Sequence, residues 1–181
     1  MVNQTSSRGI WVLFAGGGTG GHLYPALRLA EGVRTLATRR DLPNPKIAFI
    51  GNQDGIEGRI LPGREQFFPI TVQGFHRGSI ATMIYKNLKF LSKLVASYFK
   101  SRQIITQFQP DVVVGTGGYV SGPPLYAAAK LDIPTLLQEQ NSLPGVTTRL
   151  LAKHADEIHV AYQETADKLD KKKRPNSQET R

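Results

Sequence analysis

The sequence predicts an α/β domain built on a doubly wound parallel sheet, and three observations carry that prediction. Short apolar runs recur along the chain, and they are continuous rather than alternating, as strands covered on both faces require. Helical patterns separate most of them, the strand–helix alternation of a parallel sheet. Glycine-rich segments follow two of the runs directly, at the sheet edge where such folds bind ligands.

In chain order, "GIWVLF" (9–14) is the first expected strand, followed by the glycine-rich "AGGGTGGHLYPAL" (15–27). Pro25 suits a first helical turn, so a helix is expected over 25–36. "KIAFIG" (46–51) and "FFPITV" (67–72) read as the next two strands. A long helix is expected over about 80–107, with Ile80, Ile84, Leu88, Leu91, Val95 and Tyr98 as its buried stripe. Lys86, Lys89, Lys93 and Lys100 share another side, while Met83, Phe90, Leu94 and Phe99 widen the apolar face. "DVVVG" (111–115), a helix over 124–131, "PTLLQ" (134–138), a helix over 145–152 and "EIHVA" (157–161) complete the pattern. Residues 1–165 are expected to form one domain. Residues 166–181 are expected to form a basic tail, because "KLDKKKRPNSQETR" (168–181) lacks apolar content and reads as disordered.

Composition narrows the function classes. With no cysteine there is no disulfide and no thiolate ligand or nucleophile. The start of the chain has no secretion signal, and no run approaches the length needed to span a bilayer, so a cytosolic setting is expected. The net charge is +9, which points to an anionic partner. Between Gln66 and Pro110 there are six bases and no acid. A basic, apolar helix of this kind suits an anionic membrane surface. It equally suits a core helix with a solvated lysine face. Nucleic acid is not expected, because stacking aromatics and recognition motifs are missing.

The chemistry concentrates in three polar loops. In the first, Gly16, Gly18 and Gly21 satisfy G-x-G-x-x-G, but the second strand ends in Gly51-Asn52-Gln53 without the acid that a dinucleotide ribose needs. A P-loop is excluded because no Gly-Lys-Ser/Thr follows. An anion cradle at a helix start remains, with His22 placed to act near neutral pH as a general base or to pack at the helix start. The second loop, "GTGGYVSGPP" (115–124), repeats the logic with Gly117, Gly118 and the hydroxyls of Tyr119 and Ser121. Two such cradles suit a substrate with more than one phosphate. The third, "QEQNSLPG" (138–145), sets one carboxylate among amides, able to orient an imidazole, accept sugar hydroxyls or simply be hydrated. Four scattered histidines, without H-E-x-x-H or D-x-D, give no expectation of a metal or other cofactor, and G-x-S-x-G is absent.

Three segments together, "GGGTGGHLYPAL", "PDVVVGTGGYVSGP" and "IPTLLQEQNSLPGVTTRLLAKHADEI", resemble the MurG family over roughly 10–161. The resemblance implies the Rossmann-like N-terminal, acceptor-side half of a GT-B glycosyltransferase, peripheral on the cytoplasmic face of the bacterial inner membrane. It implies metal-independent, inverting transfer of GlcNAc from UDP-GlcNAc to the muramyl 4-hydroxyl of lipid I, forming lipid II for peptidoglycan. By position, His22 and Glu139 match catalytic residues, and Thr19, Gly20, Gly21 and Asn141 match donor contacts. Gly18, Gly117, Gly118, Tyr119 and Ser121 match the acceptor-diphosphate loops. Ile80, Met83, Ile84, Lys86, Lys89, Phe90 and Lys93 match the membrane-docking patch. Two departures stand out: Gln138 replaces the family's usual histidine, and the sequence ends where the interdomain linker would begin, so the C-terminal donor domain is expected to be missing. Alone, the chain is expected to be inactive. The alternative expectation is a non-catalytic half that brings a separate donor-binding subunit to the membrane.

Overall fold

The computed structural model describes residues 8–72 and 80–170, with backbone alone over 80–90 and at Asp170. Six parallel strands form one sheet: β1 (Trp11–Gly16), β2 (Lys46–Asn52), β3 (Gln66–Ile70), β4 (Val112–Gly117), β5 (Thr135–Glu139) and β6 (Glu157–Val160). Their spatial order is β3-β2-β1-β4-β5-β6, so the chain reverses direction across the sheet between β1 and β4. That reversal opens a crevice at the strands' carboxyl ends. The expected doubly wound α/β fold is the one observed.

Continuous apolarity has a direct cause. Along β1, Leu13 and Ala15 enter the core on one face, and Val12 and Phe14 enter the core on the other. The first core is closed by α3 (Ile80–Phe108), through Ile104, Ile105 and Phe108, and by α4 (Gly122–Lys130), through Leu125, Ala127 and Ala128. The second is closed by α1 (Gly20–Arg39), whose Leu23, Ala26 and Ala30 meet Phe49 and Val114. Short helices α2 (Ile56–Ile60) and α5 (Val146–Leu151) and a last helix, α6 (Gln163–Asp170), complete the fold.

Four local expectations are corrected. First, α1 starts at Gly20, not at Pro25: Thr19 is extended (φ −147°, ψ 159°), its carbonyl accepts the His22 and Leu23 amides, and Pro25 lies inside the helix. Second, the buried stripe of α3 does not run through Leu91 and Val95, which are exposed. Ser97 and Ser101 are buried instead, their hydroxyls satisfied by Leu94 O and Ser97 O one turn earlier. Third, α2 stands between the second and third strands, where the expected helices include none. Fourth, α6 runs to Asp170, five residues into the stretch expected to be tail, and buries Leu169. Residues 171–181 lie outside the described residues. So do the side chains of Ile80, Met83, Ile84, Lys86, Lys89 and Phe90, whereas Lys93 is described and exposed. Among the described residues, no helix is long and apolar enough to cross a membrane.

Candidate active site

Three loops meet at the crevice between β1 and β4, and His22 is where they join. The pairing of β1 with β4 skips Thr116, as Ala15 faces Gly115 and Gly16 faces Gly117. A residue left out of the ladder is free to bond elsewhere. The Thr116 hydroxyl donates to His22 O at 2.7 Å, and its carbonyl oxygen lies 3.2 Å from His22 Nδ1. Gly117 and Gly118 follow with φ of 97° and 78°, where side chains are disfavoured. A Cβ on either would press on the His22 ring, and one on Gly118 would also strike the Gly17 carbonyl. The second glycine loop is thus laid flat against the first.

The first loop is held from below. Glu57 of α2 is fully buried, and its carboxylate accepts the Gly18 amide at 3.0 Å and the Asn52 amide at 3.0 Å. Gly18 was expected to donate to a diphosphate; its amide is already engaged by an internal anion. The cradle's usable donors move one step on, to the Gly20 and Gly21 amides in the first turn of α1, which have no partner among the described residues. Replacing Glu57 by Gln leaves either the Gly18 or the Asn52 amide facing a donor. We expect Glu57→Gln to cost about 1–2 kcal/mol, read as a lower urea midpoint.

Ser121 is also turned inward. It is fully buried, and its hydroxyl donates to Gly118 O at 2.9 Å, so it shapes the loop rather than facing a ligand. Tyr119 is 37% exposed, with its ring against Gly18, and its hydroxyl has no partner among the described residues. Thr19 is exposed and its side chain caps nothing, which leaves that hydroxyl available as well.

Glu139, expected to be catalytic, is 2% exposed and engaged on all sides. Its Oε1 accepts the Asn141 amide and side-chain Nδ2 at 3.1 and 2.8 Å, and its Oε2 accepts the Gly145 amide and the Thr148 hydroxyl at 3.1 and 2.7 Å. Burial pushes the Glu139 carboxyl up, but these hydrogen bonds outweigh it and hold it below the ordinary carboxylate range. Glu139 makes no hydrogen bond to His22; it folds the third loop on itself and holds exposed Asn141 in it. Thr165 of α6 donates to Asn141 O at 2.7 Å and secures the same loop.

The residue that does reach His22 from the third loop is Gln140. Its Nε2 lies 2.8 Å from His22 Nδ1 and 2.8 Å from Gly21 O. No expectation singled it out, although Pro25 carries the signal: a proline within a helix frees the carbonyl four residues back, here that of Gly21. Gln138 stands on β5 with its Oε1 buried and without a partner among the described residues. The site therefore combines two free helix-start amides, two exposed hydroxyls and one imidazole at a strand-end crevice, a set suited to an anionic ligand.

Residues 12–160 match the family described as glycosyltransferase family 28 N-terminal domain. Two relatives are named UDP-N-acetylglucosamine–N-acetylmuramyl-(pentapeptide) pyrophosphoryl-undecaprenol N-acetylglucosamine transferase. The one from Prosthecochloris aestuarii is 46% identical over 155 residues, covering 85% of this chain and 41% of the relative. That from Christiangramia forsetii is 44% identical over 160 residues, covering 88% of this chain and 41% of the relative. The chain thus spans about two fifths of the length of these relatives. The crystal structure of Acinetobacter baumannii MurG superposes with a TM-score of 0.69 at 28% identity, over 86% of this chain and 43% of that one. A Streptomyces glycosyltransferase, SsfS6, shares the fold alone, with a TM-score of 0.53 at 14% identity over 76% of this chain and 41% of that one.

Proposed function

The chain belongs to the family of glycosyltransferase family 28 N-terminal domains, and on that premise we propose that it is the acceptor-side half of a GlcNAc transferase. The reaction is attack of the muramyl 4-hydroxyl of lipid I on the anomeric carbon of UDP-GlcNAc, with inversion and loss of UDP. The observation that carries this reading is the meeting of all three strand-end loops at His22, through Thr116, Gly117, Gly118 and Gln140. In this assignment Gly117, Gly118 and Tyr119 hold the acceptor diphosphate. Thr19, Gly20, Gly21 and Asn141 face the donor, and His22 lies at the reacting centre. Glu139 and Glu57 shape the loops beneath. A second domain supplies the remaining donor contacts, and without it turnover is negligible, since transition-state contacts from both sides are required.

Docking on the cytoplasmic membrane face is part of the same proposal. Leu91, Val95 and Phe99 are 54%, 47% and 60% exposed at four-residue spacing on α3, and Lys93 and Lys100 are exposed on the same helix. Exposed apolar and basic groups on one helix suit an anionic bilayer surface.

The test is binding of the chain to phosphatidylglycerol vesicles with and without lipid I, across a salt series. We expect salt-sensitive binding that lipid I strengthens, with the lipid I increment lost in Tyr119→Ala. Binding indifferent to lipid I would leave only a basic surface and remove the acceptor assignment.

A further inference from the structure

His22 Nδ1 has two neighbours that make opposite demands on it. Thr116 O, at 3.2 Å, can only accept, and so favours a proton on Nδ1. Gln140, at 2.8 Å, presents an amide that either donates or accepts, depending on which way it is turned. Gly21 O settles the orientation. Pro25, four residues on, has no N–H to give this carbonyl, and the Gln140 side chain lies 2.8 Å from it. Turned with Nε2 inward, the amide donates one hydrogen to Gly21 O and the other to Nδ1, while its Oε1 is buried without a partner among the described residues. Turned the other way, it would set one oxygen against another at hydrogen-bond distance. With Nε2 inward, a proton on Nδ1 would face the amide's own N–H, donor against donor. Only a bare Nδ1 accepts from this amide, at the shorter of its two contacts; Thr116 O then receives no hydrogen from the ring, and the proton of neutral His22 sits on Nε2.

We propose that Gln140 is a positioning residue that holds neutral His22 as the Nε2–H tautomer, so that the ring offers the crevice a hydrogen-bond donor instead of a lone pair. Nε2 itself has no partner among the described residues. The imidazole therefore joins the Gly20 and Gly21 amides as a third donor toward one anionic ligand, a phosphate oxygen or a developing oxyanion. To take a proton through Nε2, the ring would first have to move its own proton to Nδ1, onto Thr116 O and against Gln140. The consequence for sugar transfer rests on the function proposed above; the tautomer does not.

The experiment is a long-range proton–nitrogen correlation spectrum of the histidine rings in the ¹⁵N-labelled chain, recorded where the rings are neutral. The His22 signal is identified by its loss in His22→Gln. We expect Nε2–H in roughly tenfold excess, the ratio that one net hydrogen bond supports. In Gln140→Leu the amide is gone, and the major form should reverse to Nδ1–H on Thr116 O. Gln140→Glu puts an acceptor in its place and should give Nδ1–H as well, so the proposal stays testable if the leucine variant fails to fold. Nδ1–H in the unaltered chain would overturn the proposal, as would Nε2–H persisting in the Gln140 variants. Neither result depends on whether the chain binds lipid I, so failure here is distinct from failure of the proposed function.

Discussion

Replacing His22 by alanine, in an enzyme made by joining this chain to a donor-binding C-terminal domain, is expected to lower kcat roughly 100-fold or more. That loss corresponds to about 2.7 kcal/mol of transition-state stabilisation. Both possible roles of the ring support a loss of this size, because removing one preorganised donor at a developing charge costs as much as removing a base. The geometry around Nδ1 favours the donor role. His22→Ala also empties the space that the ring fills against Gly117 and Gly118, so the measurement is paired with a thermal melt of the variant. A folded variant with near-normal turnover would take His22 out of the reaction altogether.

How much of this was legible in the sequence differs from residue to residue. The strands were legible because burial on both faces leaves a continuous apolar run, as in β1, where Leu13 and Phe14 point to different cores yet read as one stretch. The start of α1 lies five residues before the position that Pro25 suggests. A proline suits that position on local grounds, yet it also stands later in a helix when a distant group replaces the bond it removes. Here that group is Gln140, 119 residues from Gly21, a separation no local pattern conveys. Glu57 escaped for a related reason. A dinucleotide pattern places an acid near the end of β2 for a ligand's ribose, whereas the acid present, on α2, serves the backbone of the glycine loop. The loops themselves were legible as glycine-rich strand ends. Which of their groups face a ligand was not, because Gly18, Ser121 and Glu139 each bond to a partner inside the protein. The basic helix shows the same limit: its residue spacing was read as a buried stripe through Leu91 and Val95, but what packs against α3 lies at Ser97 and Ser101.

Glu139 carries the second large effect, and it falls on stability rather than chemistry. In Glu139→Ala, the Asn141 and Gly145 amides and the Thr148 hydroxyl lose their common acceptor, and Thr148 is 1% exposed. Each buried donor left without a partner costs about 1–3 kcal/mol, and water can reach Asn141 and Gly145. A net loss of about 3 kcal/mol is therefore expected in urea unfolding. The pH dependence follows from the sign of the shift. The carboxyl is held lower in the folded chain than in the unfolded one, so its contribution is fully present above the ordinary carboxylate range. It is lost as pH falls through that range to the lowered folded value. Glu139→Gln removes the ionisation while keeping the shape. Its stability near neutral pH should be lower than that of the unaltered chain, and the gap should narrow as the solution is acidified. A gap that stays constant between neutral and acidic solution would show that the carboxylate charge contributes nothing to holding the third loop.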